Sequence, residues 1–121
     1  MTEVLKALKD FRSLKITATQ LRNKFGGNLF DVDVDRPVII DNTNLIFCLD
    51  AVKNGRLLVP DLVDWVNIIW FTDLFNYSDK YADSIASVMT ELEELDEKEF
   101  DLPVEQIDRY ISVLEKNEEY V

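Results

Sequence analysis

The sequence predicts an all-α fold, a compact bundle of about five to six helices around a buried central helix at about residues 60–76. The run at 57–75, LLVPDLVDWVNIIWFTDLF, is the most apolar part of the chain, and a helix that is apolar nearly all round must be buried on most sides. Apolar residues recur at helical spacing in the segments before and after it. One extended acidic connection, at about residues 28–42, is the exception to the helical pattern.

The length and composition predict a single helical domain over residues 1–121. Single hydrophobic cores form readily at about 100 to 150 residues, and 47% hydrophobic residues are enough to build one. Within this domain we expect a basic N-terminal helical arm at 1–27 and a main bundle at 43–117.

The arm consists of two short helices. Its first helix has an apolar face made by Val4, Leu5, Leu8 and Phe11. Thr17 can cap the second helix, which Gly26-Gly27 ends. The positive face of the arm could dock on the acidic remainder of the chain or on a partner, and we favour the first.

The connection at 28–42 has an alternating pattern, in which Asp31, Asp33 and Asp35 are separated by valines. A period of two is typical of an extended segment, and Val38–Ile40 continues it. The aspartates do not form a calcium loop, because Arg36 replaces the glycine that the loop requires and Asn42 replaces its last glutamate. We therefore expect an exposed acidic connection without a metal ion.

The next two helices are predicted from their end signals. Asp41 or Thr43 can cap a helix that closes at Asn54-Gly55, and Pro60 suits the start of the central helix. We expect Trp65, Trp70 and Phe71 in the core, although paired tryptophans can also anchor an interface.

Two further helices complete the bundle. The fifth has its apolar face at Tyr81, Ile85, Val88, Met89, Leu92 and Leu95, and ends in the acidic run ELEELDEKEFD at 91–101. Pro103 starts the last helix, whose inward residues are predicted to be Val104, Ile107, Ile111 and Leu114.

The net charge of −11 is unevenly distributed: residues 1–30 carry +4 and residues 31–121 carry −15. Such a surface repels nucleic acid phosphates and anionic membranes, and it attracts basic proteins. Alternatively, the acidity serves solubility alone. The chain has no long uninterrupted apolar run and no signal-peptide pattern, so we expect a cytoplasmic protein without membrane contact.

The residue inventory argues against an enzyme. The chain has no histidine for acid-base catalysis or zinc binding, no glycine-rich phosphate loop, and a single cysteine, Cys48, beside an apolar helix face. Without a histidine nearby, a structural cysteine is favoured over a nucleophile. We expect no catalytic residue, no metal site and no cofactor.

The segment LDAVKNGRLLVPDLVDWVNII at 49–69 carries a family resemblance. A helix ending at Asn-Gly, a short hydrophobic turn and Asp-Leu-x-x-Trp opening the next helix resemble the small acidic all-helical immunity proteins of bacterial polymorphic toxin and contact-dependent growth inhibition systems. The likeness covers about residues 45–114. It implies a protein that binds one cognate toxin domain and blocks it.

Many such toxins are nucleases with basic clefts, so the acidic residues are the candidate partner-binding sites. The first patch comprises Glu91, Glu93, Glu94, Glu97 and Asp101, and the second comprises Asp31, Asp33 and Asp35. The alternative is a helical adaptor or regulatory protein, or a phage-type inhibitor that mimics nucleic acid charge.

Overall fold

A computed structural model describes residues 2–27, 34–96, 99 and 101–121 of the chain. Within these residues it has six α-helices and one two-stranded sheet, which confirms the predicted all-α class and helix number. The elements, in chain order, are α1 (Thr2–Arg12), α2 (Ala18–Lys24), β1 (Val38–Ile40), α3 (Asn42–Lys53), α4 (Val59–Phe71), β2 (Phe75–Tyr77), α5 (Ala82–Glu93), a 3-10 turn (Glu94–Asp96) and α6 (Val104–Glu115).

Helix α4 is the centre of the packing, because it contacts α2, α3, α5, β2 and the 3-10 turn. Its buried residues include Leu62, Val66 and Ile69, and the Trp65 side chain is only 1% exposed. The Trp65 indole N–H donates to the carbonyl oxygen of Phe11 at 3.3 Å, so α4 is also joined to the end of α1.

The helix starts follow the predicted signals. Thr17 caps α2 through a capping box with Gln20, and Asp41 caps α3 in the same way with Asn44. The side chains of Thr17 and Asp41 accept from the backbone N–H of Gln20 and Asn44, respectively. In return, the side chains of Gln20 and Asn44 accept from the backbone N–H of Thr17 and Asp41. Local sequence therefore determines where these two helices begin.

Strand β1 lies in the described part of the predicted extended connection. It pairs in parallel with β2, in the register Val38↔Phe75 and Ile40↔Tyr77. The outer edge of β1 is not open at Ile39, whose carbonyl accepts a 2.8 Å hydrogen bond from Arg12 Nη1. This bond joins α1 to the sheet.

The central helix ends at Phe71 and not at about residue 76 as predicted. Thr72 is already extended, and the backbone that follows is used for pairing: Val38 N–H donates to the Leu74 carbonyl, and Ser78 N–H donates to the Ile40 carbonyl. The residues that could have added another turn to α4 instead form the parallel pairing of β2 with β1.

Two predicted core residues of α4 are exposed, so their assignment was wrong. Trp70 is 37% exposed and Phe71 is 54% exposed. Both lie at the end of the outward stripe of α4 that begins with Pro60 and Asp64, where no neighbouring helix covers it. In α6, Val104 is likewise 51% exposed, because it is the first residue of the helix and precedes the packed turns.

The first and last parts of the chain pack onto the central helices. Leu8 and Phe11 of α1 are buried in the common core, and α2 contacts α4. Helix α6 packs on α3 and α5 and buries Ile107 and Leu114.

The C-terminal residues are fixed by Tyr120. Its ring meets Tyr110 edge-on with centroids 5.0 Å apart, and its N–H donates to Ser87 Oγ at 2.9 Å. Gln106 Nε2 donates to its hydroxyl oxygen at 3.0 Å. The end of the chain is thereby held against both α5 and α6.

We predict that Trp65→Ala lowers the free energy of unfolding by about 3 to 5 kcal/mol, because it leaves a cavity and removes the donor to Phe11. Phe71→Ala, at a half-exposed position of the same helix, is expected to cost about 1 kcal/mol or less. Urea denaturation followed by circular dichroism measures both. Equal losses for the two variants would contradict the assignment of Trp65 to the core.

Alkaline unfolding is predicted to depend on two tyrosines. Burial raises the pKa of Tyr110 to about 12, with the charge of Glu91 as a second cause, and burial raises the pKa of Tyr77 to about 12. Since both pKa values lie above the unfolded value of about 10, this stabilisation is complete below pH 10 and is lost as the pH rises towards 12.

The test compares the wild type with the Tyr77→Phe/Tyr110→Phe double variant by urea denaturation between pH 8 and about pH 11. The wild type is expected to lose more stability than the double variant over this range. Parallel curves for the two proteins would show that these phenols do not contribute to alkaline unfolding.

Candidate partner-binding surfaces

The described residues of the acidic run predicted as a binding site lie at the end of α5, in the 3-10 turn and before α6. We define the acidic patch as its described carboxylates: Glu91 and Glu93 in the last turn of α5, Glu94 and Asp96 in the 3-10 turn, and Glu99 and Asp101 in the loop before α6. Asp96, Glu99 and Asp101 are exposed, whereas Glu91, Glu93 and Glu94 are half-buried.

Two charges of the acidic patch act on Tyr110, in the middle of α6. The charges of Glu91 and Glu94 both contribute to the raised pKa of Tyr110, which places their carboxylates on the side of the patch that faces this phenol. The Lys6–Asp10 and Lys53–Asp108 ion pairs involve no carboxylate of the acidic patch. Glu91, Glu93, Asp96, Glu99 and Asp101 form no ion pair with a described residue.

Three of these carboxylates, those of Glu91, Glu93 and Glu94, occupy an electrostatically unfavourable position at the end of α5. The C-terminal end of a helix carries partial negative charge, and an acidic side chain there costs about 0.3 to 1 kcal/mol. Helix α5 has no basic residue in its last turn to compensate. The acidic patch is therefore not explained by the stability of α5.

The other predicted site residues have different outcomes. Asp35 is exposed and lies just before β1, on a segment separate from the acidic patch. Asp31, Asp33 and Glu97 lie outside the described residues. The structure thus places Glu91, Glu93, Glu94 and Asp101 along one continuous stretch, and it does not test the second patch as a unit.

A second candidate surface is the aromatic pair, Trp70 and Phe71, whose ring centroids are 6.3 Å apart. Trp70 borders a shallow groove of about 280 Å³, which is also lined by Asp73, Asn76 and Tyr77. Exposed tryptophan is common among the residues that dominate binding energy in protein interfaces. The hydrophobic pattern alone did not separate this pair from the core.

A third candidate surface is a cleft between the α1–α2 loop, α3 and α4, which we call the side cleft. It has a volume of about 350 Å³, within the range of ligand pockets. Its lining is mostly apolar and includes Phe11, Leu14, Phe47 and Trp65, with Asp61, Asp64 and Arg56 as its charged members. Sequence reasoning missed it, because its walls come from separate segments.

The structure offers little for nucleophilic or metal chemistry in the part of the chain that it describes. Cys48 is fully buried, and burial raises the pKa of its thiol, so the reactive thiolate is disfavoured. The described residues contain no group of three or more histidine, cysteine, aspartate or glutamate side chains placed to hold a metal ion.

The described residues contain no helix with the length and apolar character needed to cross a bilayer. Comparison of the whole chain with protein-family models, with curated proteins and with solved structures found no match in any of the three.

Proposed function

We propose that this chain is an immunity protein that binds a cognate bacterial toxin domain and neutralises it. The observation that carries the proposal is the acidic patch, in which half-buried and exposed carboxylates follow one another at the C-terminal end of α5. Because the charges of Glu91, Glu93 and Glu94 oppose the dipole of α5, a role in binding a cationic partner accounts for them better than a role in folding.

A basic nuclease domain is the partner that this surface fits best. Nucleases hold phosphates in positively charged clefts, and an acidic protein can compete for the same cleft. Long-range attraction between opposite charges also accelerates association, which an inhibitor of a lethal enzyme requires. The acidic patch would then act mainly on the association rate and on its salt dependence.

The family resemblance supports the same proposal from a different part of the chain. The segment 49–69 that carries it forms the end of α3, the connecting turn and most of α4. Its Asp-Leu-x-x-Trp portion supplies Trp65 to the core and Asp61 to the surface. The resemblance therefore concerns the fold, whereas the acidic patch concerns the partner.

The proposal predicts that charge reversal in the acidic patch slows binding. In the triple variant Glu93→Lys, Asp96→Lys and Asp101→Lys, the association rate constant at low salt is expected to fall by about 10- to 100-fold. The partner to use is the toxin domain encoded directly beside the gene for this chain. Stopped-flow or surface-based kinetics at several salt concentrations gives the rate, and rescue of cells that express the domain gives the function.

A matched triple variant outside the patch, Glu3→Lys, Asp79→Lys and Glu115→Lys, makes the same change in net charge at exposed positions. It is expected to change the rate by less than about threefold, because steering depends on local charge near the contact. Equal effects of both triples would contradict the patch assignment. Absence of a neighbouring toxin gene, or failure to rescue, would instead favour the adaptor or charge-mimic alternative.

A further inference from the structure

The side cleft has apolar walls that are already in place. Trp65 and Phe11 form its base and are only 1% and 2% exposed, so the base is rigid. Phe47 stands at its rim with 43% of its surface exposed, and Leu14 and Leu57 are half-buried beside it. An apolar guest entering here meets the exposed ring of Phe47 and the half-buried Leu14 and Leu57, because the Trp65 and Phe11 rings are almost completely covered.

Two carboxylates border these walls. Asp61 and Asp64 are three residues apart on α4, so they lie on the same side of the helix. Both are exposed, and neither forms an ion pair with a described residue. Asp61 lies in the first turn, where its charge favours the helix, but Asp64 lies a turn further on and gains less from the dipole.

The rim of the side cleft already holds one cation against an aromatic ring. The guanidinium carbon of Arg56 lies 5.9 Å from the ring centroid of Phe47, within the range of a cation–π contact. Arg56 is thus held at Phe47 and is not paired with Asp61 or Asp64. The two carboxylates are left to face the opening without a compensating positive charge from the described residues.

We propose that the side cleft binds an arginine side chain of a protein partner, together with an apolar residue next to it. Aromatic rings attract the face of a guanidinium, and paired carboxylates can accept its N–H groups in a forked arrangement. Lysine fits less well, because its ammonium is a strongly hydrated point charge that does not stack on rings. The partner is therefore a basic segment with a hydrophobic neighbour beside its arginine.

The side cleft is separate from the acidic patch, since none of its lining residues comes from α5, the 3-10 turn or α6. The proposed function enters this inference in one respect: it makes the toxin domain the protein that supplies the arginine. The acidic patch would then attract the domain from a distance, and the side cleft would hold it once it is bound.

The test uses the full chain and two synthetic tripeptides, acetyl-Leu-Arg-Phe-amide and its analogue with citrulline in place of arginine. Citrulline has nearly the same shape as arginine but no charge. Titration followed by amide NMR shifts is expected to give saturable changes at the lining residues, with a Kd of about 1 mM for the arginine peptide, typical of so small a ligand. The citrulline peptide is expected to bind at least about fivefold more weakly.

Variants locate the binding within the side cleft. Asp64→Asn and Phe47→Ala are each expected to weaken the arginine peptide by about fivefold, since one removes a charge and the other removes a wall. Their matched controls, Asp79→Asn and Val104→Ala, alter exposed residues outside the lining and should leave the Kd within about twofold. Circular dichroism confirms that each variant is folded.

No saturable shift, equal binding of the citrulline peptide, or equal effects of the variants and their controls would overturn the proposal. This experiment needs no toxin, so its failure leaves the immunity function standing, and failure of cell rescue leaves the peptide result standing. With the toxin domain in hand, faster dissociation of the Asp64→Asn variant is expected. An unchanged dissociation rate would show that the guest does not come from that domain.

Discussion

The burial of Trp65 is the constraint on which the rest of the structure depends. This one side chain lies at the centre of α4, packs in the common core and donates its N–H to the Phe11 carbonyl near the end of α1. A buried indole requires such an acceptor, so the position of α1 is fixed by the chemistry of α4. Arg12 extends the same connection to β1 by donating to the Ile39 carbonyl. The basic N-terminal segment is in this way joined to both the central helix and the sheet.

The parallel pairing of β1 and β2 sets the limits of what α4 can bury. Because β2 follows α4 after three residues, the chain must leave the helix at Phe71 to reach the register with Val38–Ile40. The last two residues of α4, Trp70 and Phe71, consequently remain exposed, whereas Ile68 and Ile69 in the same turn are buried. A strong apolar pattern at the end of a helix has here produced a surface and not a core.

Sequence reasoning succeeded where the signal was local. The capping boxes at Thr17 and Asp41 are made by residues three apart, and the Asn54-Gly55 stop of α3 depends on a glycine at φ 75. The acidic patch is also continuous in sequence, so its location at the end of α5 followed from the residues alone. Strand β2 has only three residues and is specified by its pairing with β1. Since α3 and α4 separate the two strands in the sequence, no local pattern predicts β2.

The side cleft likewise could not be predicted from local sequence patterns. Its walls come from the α1–α2 loop, α3, the α3–α4 turn and α4, and each contributes residues that read as ordinary helix or loop positions. What the structure does reveal is disagreement with local backbone preferences at both surfaces. Leu14, which lines the side cleft, and Glu99, which belongs to the acidic patch, have φ values of 64 and 58, in a region that usually costs a non-glycine residue about 1 kcal/mol or more.

Such disagreements separate folding from binding in this chain. The core residues, from Leu8 to Leu114, lie at buried positions in agreement with the hydrophobic pattern of the elements that carry them. The carboxylates at the end of α5, the aromatic pair and the unpaired Asp64 do not, and each of them lies on the surface where the fold does not need it. Residues that depart from local preferences are often functional, so the partner proposed above would account for these positions. The distribution of charge strengthens this inference, since a surface that repels itself within the chain is neutralised when a basic protein covers it.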